Sequence, residues 1–210
     1  MPALSRRFIL MAIVFNVCLI ASNLFETKIF AAGPLTLTGG LLIFPISYII
    51  NDCMTEIWGY RSARFVIWTA FIMNLFVVGV AQIVRILPAA PFWDGQEHFD
   101  YIFAANLRIT TASMLAFVFG SLANSLIMDR MHKASENDKG FGWRAIASTL
   151  GGESLDSVIF FPIAFWGVGV RNMLIMMITQ IVLKTVYEIA ILPITATVVR
   201  QLRKSEAETV

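Results

Sequence analysis

The sequence predicts an all-α, polytopic membrane protein: six spanning helices in a single transmembrane domain over residues 1–210, with both termini in the cytoplasm. Three observations carry that expectation. Hydrophobic residues make up 58% of the chain and charged residues 14%, with mean hydropathy +0.74, against about 45–50% and about 25% for a soluble domain. The apolar residues fall into six separate runs, near the ~17–25 residues that a helix needs to cross a hydrocarbon core of ~30 Å. Lys and Arg divide unequally between the connections: eleven lie on the side of the N-terminus and four on the other. Such a bias orients spanning helices with the richer side inside.

The runs cover 8–24, 37–58, 65–86, 110–128, 145–166 and 173–199. The first follows Arg6 and Arg7, as a signal peptide would. It is longer than the ~7–15-residue core of a signal and lacks a small-x-small cleavage site, so it is expected to remain as a span. The second contains Gly39-Gly40 and Phe44-Pro45 and is followed by Arg61 and Arg64. The third, 65–86, leads into a longer connection at 87–109 with the outward-facing acids Asp94, Glu97 and Asp100. The fourth places Ala112, Ala116, Gly120 and Asn124 at every fourth position. That is a small-residue face for close helix packing, from which Asn124 can also reach a central site. The second long connection, 129–144, carries a charged run beginning Asp129-Arg130. In the fifth, Gly151-Gly152 and Phe161-Pro162 flank two acids; in the sixth, Gln180, Lys184 and Glu188 share one face.

Composition also excludes functions. A net charge of +2 without a Lys/Arg block gives no grip on nucleic acid. Cys18 and Cys53 lie in apolar segments and read as small hydrophobes. His98 and His132 fall in different polar stretches with no Cys/His cluster, so no metal site and no cofactor is expected. No glycine-rich Walker run is present, so no ATPase module is evident in this chain. Membrane lipid is the expected surrounding partner, and the sequence leaves a homo-oligomer open.

Five acids inside predicted spans are the energetic anomaly: Asp52, Glu56, Glu153, Asp156 and Glu188. Each costs about 2.5–3.5 kcal/mol to bring ionised into a bilayer. At 1.5 Å per helical residue, Asp52 and Glu56 lie roughly 14 and 8 Å from the inner boundary, and Glu153 and Asp156 roughly 14 and 18 Å. Asp52 and Glu56 are spaced i, i+4, and Glu153 and Asp156 i, i+3, so each pair shares a face. Lys184 is the basic residue well inside a span and the natural counter-ion; Glu188 is its neighbour on the same face. The plainer alternative for Glu56 is a helix end held against Arg61 and Arg64. Glycine and proline beside the acids allow local unwinding around a cavity. In a three-plus-three arrangement the second and fifth spans would be mates, although the halves do not align convincingly.

Two stretches carry a family resemblance. The run Phe44-Pro45-Ile46-Ser47-Tyr48-Ile49-Ile50-Asn51-Asp52, with Thr55-Glu56 and Gly59-Tyr60-Arg61, resembles the second-helix signature of the queuosine precursor transporter family, proteins once filed as vitamin uptake transporters. The stretch from Ala147 through Glu153-Ser154-Leu155-Asp156-Ser157 to Phe165 resembles its fifth-helix signature, and Lys184 stands where that family has a lysine in its last helix. The resemblance implies a six-helix inner-membrane carrier for 7-cyano-7-deazaguanine and its 7-aminomethyl relative, salvaged to make queuosine in tRNA. It also implies a fold similar to the substrate-binding components of energy-coupling vitamin transporters. Their Ala-x-x-x-Ala docking motif is missing from the first span, which has Ala12 and Ala21.

Residue chemistry and resemblance meet in one expectation. A deazaguanine offers N1–H and an exocyclic amine side by side, and a carboxylate accepts from such groups. Glu153, Asp156 and Asp52 are the expected acceptors, with Lys184 as the charge partner. Asn51, Gln180 or Asn124 can bond the ring carbonyl, and Phe44, Phe160 or Phe161 can stack on the ring face. Glu56 and Glu188 are assigned to a helix end and to counter-ion pairing. Proton linkage is compatible with a buried acid that loads and releases a proton. The alternatives are a substrate-binding membrane subunit for a vitamin-like planar compound needing a separate energising module, and a membrane protease with an Asp52/Asp156 dyad. The second lacks the Gly-x-Gly-Asp pattern before Asp156.

Overall fold

A computed structural model of the chain describes residues 5–133 and 141–207. Among these residues six α-helices and one β-hairpin form: α1 (Arg6–Phe25), β1 (Ile29–Ala32), β2 (Leu35–Thr38), α2 (Phe44–Trp58), α3 (Tyr60–Arg85), α4 (Gln96–Lys133), α5 (Phe141–Ala164) and α6 (Val170–Ala207). A 3₁₀ turn at Gly39–Leu42 joins the hairpin to α2. Three stretches are long and apolar enough to cross a membrane among the described residues: Arg6–Phe25, Arg61–Arg85 and Gln96–Ala123.

Local chemistry sets the boundaries. Ser5 caps α1 by accepting from the Phe8 N–H at 3.2 Å. Gly33 at φ +61° and Pro34 turn the chain between β1 and β2. The expected span 37–58 is thereby corrected: its first residues belong to β2 and the 3₁₀ turn, and α2 begins at Phe44 with Pro45 in its first turn. Fifteen residues extend ~22 Å, short of a ~30 Å core. Gly59, at φ +83° and ψ 158°, is the single residue between α2 and α3. That region is open to glycine and hardly to any other residue, so Gly59→Ala is expected to lower the unfolding midpoint measurably.

The expected connection 87–109 is corrected as well. It is helical from Gln96, where Glu97 in the first turn complements the helix dipole. Side chains bind this helix start to the end of α3. Arg85 pairs with Asp100 at 3.0 Å and donates to Gln82 Oε1 at 2.6 Å, and Gln82 Nε2 donates to the Phe103 carbonyl at 2.9 Å.

The described residues divide into two compact units. The first comprises α1 with the chain to Lys28, Thr38–Leu107, and α6 from Tyr187. Its core includes Phe15, Leu19, Met54, Val66, Ala70, Phe71 and Val78, with the Phe8 ring edge-on to Trp58 at 5.3 Å. The second comprises Ile29–Leu37 and Arg108–Val186. Its core is built from Ile109, Ala112 and Ala116 on α4, Phe160, Phe161 and Ala164 on α5, Phe165 just beyond it, and Met176 on α6.

Candidate binding site

In the second unit, residues 153, 156, 157, 160, 161 and 164 follow the three-four spacing of one helix face on α5. Glu153, Asp156, Ser157, Phe160, Phe161 and Ala164 therefore point the same way. On α6, Met176, Gln180 and Lys184 recur at every fourth position, and all three are buried. From this register alone the α5 face runs from the acids Glu153 and Asp156 to the rings of Phe160 and Phe161, and the α6 face runs from Met176 through Gln180 to the cation of Lys184.

Lys184 joins the faces. Its Nζ donates to Asp156 Oδ2 at 3.3 Å and lies 3.1 Å from Glu153 Oε2. The contact with Asp156 has hydrogen-bond geometry, whereas the shorter one with Glu153 is an ion pair by distance, and Glu153 Oε2 accepts no hydrogen bond. The three side chains are 7%, 11% and 21% exposed for Lys184, Glu153 and Asp156. Removing such charges from water is repaid only when they are paired, so the lysine is what makes two buried acids tolerable. If all three ionise, one ammonium facing two carboxylates leaves a formal charge of −1.

Next to the acids the lining becomes neutral, then aromatic. Ser157 is 1% exposed and its Oγ has no hydrogen-bond partner. The ring of Phe161 stacks on Phe165 at 5.4 Å and meets Phe160 edge-on at 5.5 Å. Ordered this way, the face can present acceptors and one cation to a polar edge, then a hydroxyl, then ring surface.

Close packing of α4 holds α5 in this position. A Cβ on Gly120 would come within 3.0 Å of both the Gly152 carbonyl and Asp156 Cβ. The buried small-residue stripe Ala112, Ala116 and Gly120 thus sets how near α4 approaches the acid-bearing helix. Gly120→Leu is expected to push α5 outward and separate Asp156 from Lys184, at an overpacking cost of about 1–3 kcal/mol. Thermal unfolding of Gly120→Leu beside Gly120→Ala checks this: the leucine variant should fall well below the alanine one.

Of the residues expected from sequence, the structure brings together Glu153, Asp156 and Lys184, and places Gln180 and Phe161 on the same two faces. Asn51 lies on α2 in the first unit, half-buried, with its Oδ1 unpartnered. The side chains of Phe44, Asp52, Glu56, Asn124 and Glu188 lie outside the described residues. Ser157 escaped the sequence reading because a serine inside a span carries no charge anomaly; its place four residues after Glu153 was the available signal.

Residues 38–198 match the family model described as "Putative vitamin uptake transporter". The chain is 29% identical over 130 residues to the "Queuosine precursor transporter" of Escherichia coli (strain K12), covering 61% of this chain and 55% of that protein. It is 26% identical over 149 residues to the "Probable queuosine precursor transporter" of Bacillus subtilis (strain 168), covering 71% and 65%. A third relative, the "Probable queuosine precursor transporter" of Haemophilus influenzae, is 28% identical over 131 residues, covering 61% and 52%. The chain thus spans between about half and two thirds of the length of the curated relatives it matches. No solved structure matches it significantly.

Proposed function

The chain belongs to the family of vitamin uptake transporters that matches residues 38–198, and from that premise we propose that it carries queuosine precursors across the inner membrane. The observation that supports this reading most is the buried Lys184 between Glu153 and Asp156, on a face that continues into Phe160 and Phe161. A carrier for a planar, polar-edged solute needs such a pairing of acceptors with rings, and a protein that only packs helices does not. Three relatives named for queuosine precursor transport fit the same ligand. In this reading the chain acts by binding and release rather than by catalysis. It spans the bilayer six times with both termini inside, supported by the eleven-to-four division of Lys and Arg.

The carboxylates accept from N1–H and the exocyclic amine of the 7-deazaguanine ring, and a phenylalanine face covers the ring. The formal −1 charge of the lysine and two acids is balanced by a proton or by a cationic ligand. The aminomethyl precursor carries an ammonium, so it is expected to compete better than the cyano precursor for this site. Proton linkage is the companion expectation: uptake into vesicles of the purified chain should fall when an uncoupler is added.

The deciding experiment uses cells that cannot make queuosine, with and without this chain, fed each precursor in turn. Queuosine should return to tRNA only when chain and precursor are both present. If no precursor restores it, the transport reading fails. Glu153→Gln and Asp156→Asn should each cut uptake by tenfold or more, in line with about 1.5–3 kcal/mol for a hydrogen bond to a charged group. Undiminished uptake by both variants removes the two acids from the site.

A further inference from the structure

A second buried polar cluster uses none of the residues assigned above. It forms in the first unit, where α1 ends against the Gly39–Leu42 turn. Ser22, Asn23, Glu26 and Thr38 are each no more than 1% exposed, and Asn106 is 4% exposed. Hydrogen bonds tie the pieces together: Ser22 Oγ donates to the Gly40 carbonyl at 3.3 Å, and Asn106 Nδ2 donates to the Asn23 carbonyl at 3.2 Å. The Glu26 carboxylate lies in the space that a side chain on Gly40 would fill. Asn23 stands one turn before Glu26 on the same face of α1, and neither its Oδ1 nor its Nδ2 has a hydrogen-bond partner. An amide buried with both ends open carries an uncompensated desolvation cost, so a ligand that engages it is favoured.

The donor chemistry indicates which ligand. Carboxylate, amide, hydroxyl and backbone oxygens are hard donors, suited to hard cations. The C-terminal end of a helix is the negative end of its dipole. In transporters, helix C-terminal ends beside unwound backbone are where Na⁺ is coordinated; α1 ends in this way, next to a 3₁₀ turn. Among the described residues the cluster holds one carboxylate, which matches one positive charge. Among the described residues no three His, Cys, Asp or Glu side chains gather as a metal-binding group, and a divalent ion generally draws on more anionic donors than one.

We propose that this cluster binds an alkali-metal cation, with Glu26 supplying the charge and Asn23 Oδ1 a second oxygen. The test unfolds the purified full chain thermally in NaCl, KCl or choline chloride at equal ionic strength. Na⁺ or K⁺ should raise the midpoint above that in choline and saturate with concentration, as a ligand of the folded form must. The shift should vanish in Glu26→Gln, Asn23→Ala and Gly40→Ala, the last because its methyl meets the Glu26 carboxylate. It should persist in Glu153→Gln, which alters the other site. Asn23→Ser serves the same purpose if the alanine variant does not fold. Equal midpoints in all three salts for the unaltered chain overturn the proposal, as does a shift that survives both Glu26→Gln and the Asn23 substitution. Because the readout needs no transport, it stands or falls separately from precursor uptake.

Discussion

Lys184→Met is expected to abolish precursor uptake and to cost about 3–5 kcal/mol of stability, the range for stripping one partner from a buried ion pair. The reason is charge count. Lys184 lies 3.1 Å from Glu153 and 3.3 Å from Asp156, and both acids are mostly shielded from water. Methionine keeps much of the volume and removes the cation, so two carboxylates are left facing the same gap. The penalty should therefore be relieved by a second change. Lys184→Met combined with Glu153→Gln should be more stable than Lys184→Met alone, since one of the two like charges is gone. Contacting residues couple in this way by about 0.5–3 kcal/mol. Lys184→Arg is not expected to rescue uptake, because a planar five-donor fork replaces a compact ammonium in a space shared by two acids. The measurements are thermal unfolding and precursor binding by the purified variants. A Lys184→Met protein with unaltered midpoint and binding would show that the lysine neither balances the acids nor meets the ligand.

That this triad could be found in the sequence at all follows from two regularities. Helical spacing fixes that Glu153 and Asp156 share a face, and the cost of a bare charge in a bilayer demands a cation for them. Lys184 was the basic residue at suitable depth, and the structure joins all three. Where no such constraint acts, the sequence is silent. Ser157 and Asn23 are neutral, so their burial raises no alarm until packing shows that they lack partners. Glu26 follows the first apolar run and precedes Lys28, which reads as a solvated connection; the close approach of Gly40 is what buries it. The hairpin at 29–38 falls mostly in the connection between the first two expected runs and overlaps the second only at 37–38; its residues carry no charge beyond Lys28, and Gly33-Pro34 marks its turn. The early start of α4 was hidden for another reason. Its first residues are polar, yet no glycine or proline interrupts the chain from Gln96 to Phe119, and a helix needs no more than that once its start is held by α3.

Phe161→Ala is the second large effect, and it separates packing from recognition on a single side chain. Phe161 is fully buried, stacked on Phe165 and edge-on to Phe160. Truncating such a ring costs about 3–5 kcal/mol through lost burial and the cavity left behind. On that ground alone the alanine variant should unfold at a lower temperature and show weaker uptake. Weaker uptake by itself then says nothing about the ligand. Phe161→Leu resolves the ambiguity, since leucine refills most of the cavity but offers no ring face. Base–aromatic stacking contributes about 1–3 kcal/mol per base, so a stacking role predicts roughly tenfold weaker binding in the leucine variant at near-native stability. The engagement of the Phe161 ring by Phe165 and Phe160 favours the other outcome: stability and binding recovered together. In that case Phe160 is the next ring to test for a stacking role: it is 7% exposed, and its contacts with Phe161 and Phe165 are T-shaped rather than stacked.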